Sequence, residues 1–519
     1  MDFISYHNHS NTHLPLASLG DSHKGAVAQA SNPARVVNVV AEKWIKHMIN
    51  NRIPVVIMAG GLGKRAASID STVPKPLIKI NDKPILQYEI ECLVSQGYTD
   101  IILTVSYKAE QIISYFGDGS SFGCHITYFK ENQPLGNAGA LFKLSLPGQP
   151  LSVESDVSDF LLLNADSMFD IDFNRFYEFH SKHHALVSLF VHPNNHPYDS
   201  GLIVTDKDQR VISWLTKEDE RPEWYRNSVN AGLHIINTRV LRSMVESGAV
   251  DPDKIETVDE QGNRVKVDLD RQILKPLCKP DGLVYAYSSP EYVKDMGTPE
   301  RFEQVKSDLT SGLVASRNLK NPQKAVFLDR DGTINKYVGF LRDIDEFELL
   351  PSVSDAIRLI NASGYLAIIV TNQPVIARGE VTTSQLDQIH CKMETLLGRA
   401  GAYVDGIYIC PHHPDKGYEG EIEALKIDCD CRKPKPGLLI KAAEDYNLRL
   451  EDCYMIGDSW RDIAAGSAAG CRTVLLNGEG SESAGRESDG SGEGGGQNCT
   501  PDMICDNLLD AVKRIREKL

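Results

Sequence analysis

From Ile53 onward the chain alternates short apolar runs with stretches of helical spacing. Ile53–Ala59, Ile101–Val105, Phe160–Leu163 and Ala185–Val191 are short and rich in β-branched or large apolar residues, which predicts strands. Pro84–Gln96 and Glu110–Phe116 repeat their apolar positions every three or four residues, which predicts helices. Asp308–Pro322 reads as a largely polar connector, and a second alternation follows it. Strands are predicted at Ala325–Leu328, Ala367–Val370, Gly406–Ile409, Tyr454–Ile456 and Thr473–Leu476. Helices are predicted at Ser354–Ala362, Ser384–Leu397, Leu438–Tyr446 and Ile463–Ala469. Strand–helix alternation of this kind implies a doubly wound, largely parallel α/β sheet, once in each half.

The expected division is an extension of unknown role at 1–52, a first domain at 53–307, a linker at 308–322 and a second domain at 323–519. Within the extension only Val36–Met48 has the spacing of a short helix. Residues 478–498 are dominated by Gly, Ser and Glu, cannot bury apolar surface, and read as a flexible surface loop. Met503–Leu519 returns to the second domain and closes with a helix.

A length of 519 residues exceeds one ordinary core. The formal net charge of −16 argues against a general nucleic-acid binder and requires local cations or metal for any anionic substrate. No bilayer-spanning apolar stretch and no secretory pattern is present, so a cytoplasmic enzyme of small molecules is expected, without membrane or nucleic-acid partners. The 11 cysteines, an odd number, argue against a disulfide framework.

The first chemical constellation follows the first strand. In Gly60-Gly61-Leu62-Gly63-Lys64-Arg65, glycines let backbone N–H groups approach phosphate oxygens and Arg65 adds a cationic fork. Lys75 stands between Pro74 and Pro76 as a second cation. A glycine turn alone is more often a structural joint, and this one fits neither the phosphate-loop nor the full dinucleotide pattern. Together with Pro74-Lys75-Pro76-Leu77 and Lys83-Pro84, however, it resembles the sugar-1-phosphate nucleotidyltransferase family. The resemblance continues to about Val305. It implies a Rossmann-like domain, with Gly60, Gly61, Gly63, Glu131 and Gly136 binding the nucleotide and sugar, and Asn137 in place of the family's usual Thr. It further implies Asn230 and Gly232 as a sugar-binding turn, Lys217 near the family's sugar-phosphate lysine, and Asp166 and Asp295 as ligands of Mg²⁺. Arg65 and Lys75 would stabilise the transferring phosphoryl group.

The second constellation is Asp329-Arg330-Asp331-Gly332-Thr333 at a strand end. Carboxylates at i and i+2 can share one side of an extended chain. One can attack phosphorus while the other protonates the leaving oxygen. With Thr371-Asn372, Lys433 and Asp458 following in order, the segment resembles the haloacid-dehalogenase-like phosphatases. That resemblance makes Thr371 a phosphoryl-binding hydroxyl, Lys433 the neutralising cation, and Asp329, Asp331 and Asp458 ligands of a second Mg²⁺. Cys410, His412, Cys429 and Cys431 form two short chelate pairs suited to a structural tetrahedral Zn²⁺, with His413 an alternative ligand. This loop, closed by Arg432-Lys433-Pro434, and the Ile376-Ala377-Arg378-Gly379 stretch are similar to heptose-bisphosphate phosphatases, which implies Asn372, Arg378 and Arg432 as substrate contacts. Histidinol-phosphate phosphatases share the zinc loop and are the rival.

Joined, the resemblances imply removal of the 7-phosphate of D-glycero-D-manno-heptose 1,7-bisphosphate and transfer of a nucleotidyl group, GMP by pathway analogy, to the resulting 1-phosphate. The alternatives are a phosphatase of other specificity, a transferase of other sugar or base, or a first domain that only senses nucleotide sugars.

Overall fold

The computed structural model describes residues 53–517, apart from 62–69, 71, 134, 153, 156, 256, 259–264 and 478–498. The extension with its short helix, the acidic loop, Gly63 and Arg65 therefore lie outside the described residues.

The first half is built on a nine-stranded mixed sheet. Its parallel centre is β1 (Val55–Met58), β4 (Asp100–Val105), β5 (His125–Lys130) and β6 (Asp159–Asn164). β8 (Val187–His192), β9 (Leu202–Thr205), β10 (Val211–Leu215), β11 (Val229–Asn237) and β12 (Val284–Ser288) extend it, with β11 antiparallel to both β6 and β8. The expectation of a largely parallel sheet thus holds at the centre and gives way at β11. A hairpin of β2 (Lys79–Ile80) and β3 (Lys83–Pro84) and an antiparallel pair of β7 (Ser167–Asp170) and β13 (Tyr292–Asp295) stand beside the main sheet. Helices α1 (Ile85–Val94), α2 (Ala109–Phe116), α3 (Gly139–Leu144), α4 (Phe173–Lys182) and α5 (Thr238–Glu246) surround it. β1 reads Val-Val-Ile-Met because it is covered on both faces: Val55 and Ile57 enter one core, Val56 the other.

The second half carries a six-stranded, wholly parallel sheet in the order β16-β15-β14-β17-β18-β19. These strands are β14 (Ala325–Leu328), β15 (Leu366–Asn372), β16 (Gly406–Cys410), β17 (Tyr454–Gly457), β18 (Arg472–Leu476) and β19 (Met503–Cys505). β14 and β17 lie side by side at the centre, so the segments leaving their C-terminal ends converge, as sites in open α/β sheets do.

The stretch expected to be a polar connector is structured. Helix α6 (Pro299–Thr310) runs into it, α7 (Leu313–Ser316) follows, and Leu319 is buried in the second core. The halves are stitched there. Asn318 Nδ2 donates to Asp170 Oδ1 at 2.6 Å, and the Leu319 N–H donates to Glu291 Oε1 at 3.0 Å. Polar side chains predict solvation only where no neighbour supplies their hydrogen bonds. Here both halves supply them.

The remaining helices are α8 (Val353–Asn361), α9 (Pro374–Ala377), α10 (Thr383–Arg399), α11 (Gly437–Tyr446), α12 (Trp460–Ala469) and α13 (Leu508–Glu517). α10 begins with a capping box between Thr382 and Gln385, which fixes its start one residue before the predicted one. Among the described residues no helix is long and apolar enough to cross a membrane.

Candidate active sites

In the first half, β1 ends at the glycine turn. A Cβ on Gly60 would meet Glu131 Oε1 at 2.9 Å, so glycine is required for this carboxylate to pack under the turn. Glu131 in turn accepts the Leu135 N–H at 3.2 Å. Gly136, at φ +88°, forms a bridge with Val267, whose carbonyl oxygen a Cβ would strike at 2.4 Å. Asn137, the residue that departs from the family pattern, accepts the Leu269 N–H at 2.7 Å and anchors the start of the short helix Leu269–Leu274.

Asp166 follows β6, and the β7–β13 pairing sets Asp295 opposite Ser167, with the Met296 N–H donating to the Asp166 carbonyl at 3.0 Å. Two carboxylates 129 positions apart in sequence thereby become neighbours. Lys75 Nζ sits 2.7 Å from Asp166 Oδ2, and Arg301 Nη1 2.5 Å from Asp295 Oδ2. Burial acts to raise the Asp295 carboxyl, but the Arg301 bond and charge outweigh it and hold it below its ordinary value. Two partly exposed carboxylates brought close by this pairing, each beside a cation, suit Mg²⁺, which takes a few protein oxygens and keeps its remaining positions for water and phosphate. Glu89, which the sequence reading did not single out, lies behind them. It is fully buried, accepts the Ser167 N–H at 3.3 Å, and is pushed well up by burial and by Asp166.

Asn230 and Gly232 sit on β11. Asn230 Oδ1 accepts from the Gly232 N–H at 3.4 Å and lies 3.2 Å from His234 Nε2. Burial pushes His234 down to about 4, so it is neutral at pH 7, and its Nδ1 has no hydrogen-bond partner. The ring proton therefore belongs on Nε2, aimed at Asn230. Lys217 is exposed in the turn after β10.

In the second half, β14 delivers Asp329 and β17 delivers Asp458. Asp329, Asp458 and Asp462 form one potential cation-holding group, the last missed by the sequence reading although it completes a capping box with Ser459 at the start of α12. Buried Lys433 bonds Asp329 at 2.9 Å and Asp462 at 2.6 Å. Burial opposes the lysine's charge, but the two carboxylates prevail and raise it. Burial and the Asp462 carboxylate push Asp329 upward, against Lys433. Gly332, at φ +81°, admits Asp458: a Cβ there would lie 1.9 Å from Asp458 Oδ2. Three carboxylates crowded around one ammonium leave negative charge that a hard divalent cation fits.

The Asp331 carboxylate stands outside that group but close enough for its charge to act on Asp329. It accepts from Arg330 at 2.9–3.2 Å, from Asn335 Nδ2 at 3.0 Å and from Gln373 Nε2 at 2.9 Å. The Gln373 amide also donates to Thr371 Oγ1 at 2.9 Å, at the end of β15. Asn372 exchanges two hydrogen bonds of 3.0 Å with the Lys433 backbone, tying the end of β15 to the lysine loop. Arg378 is sandwiched between the rings of Phe340 and Tyr418, at 4.1 and 4.4 Å. Arg432 donates to the His412 carbonyl at 3.4 Å.

Cys410, His412, Cys429 and Cys431 converge. Their Sγ atoms are 3.2–3.5 Å apart, and His412 Nδ1 is 3.2 Å from Cys431 Sγ. A Zn²⁺ tetrahedron with bonds of about 2.3 Å needs S···S edges of roughly 3.8 Å, so the donors fit after a small outward shift. His413 instead points its Nε2 at Arg378 Nη2, 3.3 Å away, so His412 is the histidine in the cluster.

The nucleotidyl transferase family model matches residues 54–312, and haloacid-dehalogenase-like hydrolase models match 284–470 and 430–511. The chain is thus a two-domain enzyme of sugar-phosphate chemistry, a nucleotidyltransferase joined to a haloacid-dehalogenase-like phosphatase. The D-glycero-β-D-manno-heptose-1,7-bisphosphate 7-phosphatase of Salmonella typhi is 43% identical over 152 residues, 29% of this chain and 79% of that protein. Through its second half the chain belongs to this phosphatase family. Solved structures similar to it include HddC from Yersinia pseudotuberculosis (26% identical, 50% of this chain and 100% of that chain, TM-score 0.38). Another is D,D-heptose 1,7-bisphosphate phosphatase from B. bronchiseptica complexed with magnesium and phosphate (31% identical, 38% and 100%, TM-score 0.32).

Proposed function

We propose that the chain performs two consecutive steps: it removes the 7-phosphate of D-glycero-D-manno-heptose 1,7-bisphosphate and then joins the resulting 1-phosphate to GMP from GTP. The observation that carries this reading is that phosphatases of the family it belongs to would leave a sugar 1-phosphate, the substrate class of the nucleotidyltransferase on the same chain.

In the phosphatase, Asp329 attacks phosphorus and the leaving sugar oxygen takes a proton from Asp331. Water then hydrolyses the aspartyl-phosphate, with Asp331 accepting the proton. Thr371 and Lys433 bind the phosphoryl oxygens, and Arg378 and Arg432 contact the distal phosphate. Mg²⁺ held by Asp329, Asp458 and Asp462 would supply charge neutralisation at the phosphoryl group. Zn²⁺ held by Cys410, His412, Cys429 and Cys431 would be structural, fixing the loop that leads to Arg432 and Lys433.

In the transferase, the sugar 1-phosphate oxygen attacks the α-phosphorus and pyrophosphate leaves. Lys75, with Arg65, stabilises the transferring group, and Asp166 and Asp295 would hold Mg²⁺. Asn230 and Gly232 receive the sugar. The division at 53–307 and 323–519 is part of the proposal, with the interval between them acting as a fixed joint.

The test is phosphate release from both anomers of heptose 1,7-bisphosphate, histidinol phosphate and fructose 1,6-bisphosphate. Pyrophosphate release follows on adding GTP, ATP, CTP or UTP. Heptose bisphosphate turnover followed by GTP-dependent pyrophosphate is expected. Preference for histidinol phosphate, or no pyrophosphate with any triphosphate, would overturn the two-step reading.

A further inference from the structure

The transferase arm that leads into the sugar-binding turn is seated on a helix of the phosphatase. Residues 223–227 end one residue before β11, and Asn230 lies one residue inside that strand. α10 spans Thr383–Arg399, and its positions 387, 391, 394, 395 and 398 recur at the spacing of one helical face. The arm follows that face residue by residue. At the edge of that face, Lys392 Nζ and Arg399 Cζ both lie over the Trp224 ring, at 5.5 and 5.1 Å. Thr395, fully buried, accepts the Tyr225 N–H at 2.8 Å, and its hydroxyl lies 3.0 Å from the Tyr225 carbonyl. Arg226 grips two carboxylates about two helical turns apart, Asp387 at 2.6 Å and Glu394 at 2.8 Å. Next, Asn227 holds the backbone of Asn194 through both ends of its amide, at 3.1 and 2.7 Å.

A backbone N–H and a guanidinium bound this way confine the arm more than exposed loop contacts would. The charge-assisted bonds to Glu394 are largely buried, where they are stronger than in water. Only Ser228 and Val229 separate Asn227 from Asn230, so the position of the turn follows from that of the arm.

We propose that α10 of the phosphatase completes the sugar-phosphate side of the transferase site, with Arg226 and Thr395 acting as positioning residues for the sugar-binding turn. This rests on the reading of Asn230 and Gly232 as that turn.

The test uses the full chain with Thr395→Val, Arg226→Ala and Arg226→Lys. Pyrophosphate release is measured with heptose 1-phosphate and GTP, and amide hydrogen exchange is followed across 221–234. Both Thr395→Val and Arg226→Ala should raise KM for the sugar phosphate about tenfold while KM for GTP stays within about twofold and kcat changes little. Exchange across 221–234 should quicken in both, and Arg226→Lys should recover part of each effect. Unchanged exchange in both variants overturns the proposal whatever the kinetics. So do equal rises in the two KM values, or a fall in kcat alone. If the unaltered chain releases no pyrophosphate, the proposed reaction fails, and the exchange comparison alone decides the positioning.

Discussion

Single residues carry the chemistry here, and their demands are sharply local. Asp329 is the proposed nucleophile, so Asp329→Asn should lower phosphate release by at least ~10³-fold. Pyrophosphate release should persist, because Asp329 belongs to the other domain. Lys75→Ala should do the converse, removing pyrophosphate release while phosphate release persists. Gly332 is a second sharp case: φ +81° and the 1.9 Å approach of Asp458 leave no room for a methyl group. Gly332→Ala should cost phosphatase activity through displacement of Asp458, measured as lost phosphate release in a chain that still binds zinc. Asp329, Asp331 and Lys433 were legible as residues because their motifs are contiguous. Asp462 was not, since a carboxylate in the first turn of a helix reads equally as a cap. Here it caps α12 and bonds Lys433 as well.

At the scale of elements, the cysteine loop and the joint between the halves make separable predictions. The four donors at Cys410, His412, Cys429 and Cys431 should hold about one zinc per chain, seen by metal analysis of the purified protein. Cys429→Ser should lose that zinc and lower the melting temperature, because metal affinity adds to folding free energy. An unchanged zinc content would remove the site. At the joint, Glu291 accepts the N–H groups of Asp172 and Leu319, and burial pushes its carboxyl up from 4.5 to about 7. A raised carboxyl is protonated more readily folded than unfolded. Its contribution is therefore complete below about 4.5 and is lost as pH rises through about 7, by on the order of 3 kcal/mol. Glu291→Gln keeps the oxygen acceptor and removes the titration. Denaturant unfolding between pH 5 and 8 should fall with pH in the unaltered chain and flatten in the variant. Equal slopes would show that Glu291 does not titrate there.

For the whole molecule, the halves meet through charged and polar contacts: Arg226 with Asp387 and Glu394, Asn318 with Asp170, and Arg175 with the Asp445 carbonyl at 3.0 Å. Charged pairs of this kind weaken with salt. Raising salt from about 0.05 to 0.5 M should therefore raise KM for the sugar phosphate in the unaltered chain more than in Arg226→Ala, which has already lost the pair. A parallel rise in both would assign the salt effect to substrate binding alone.

The sequence by itself determined two α/β halves, the strand ends that carry Asp166, Asp329, Thr371 and Asp458, and the paired spacing of the cysteine loop. Each is encoded locally, in a period of apolar positions or in residues a few places apart. Tertiary structure alone decided the rest. It set Asp295 opposite Ser167, beside Asp166, bonded Asp331 to Arg330 and Gln373, and chose His412 over His413. It also made the polar stretch around Asn318 a buried joint and seated the arm before β11 on α10. These outcomes depend on which distant group supplies a hydrogen bond or an opposite charge. That partner is fixed by strand order and helix placement, and no spacing along the chain records it.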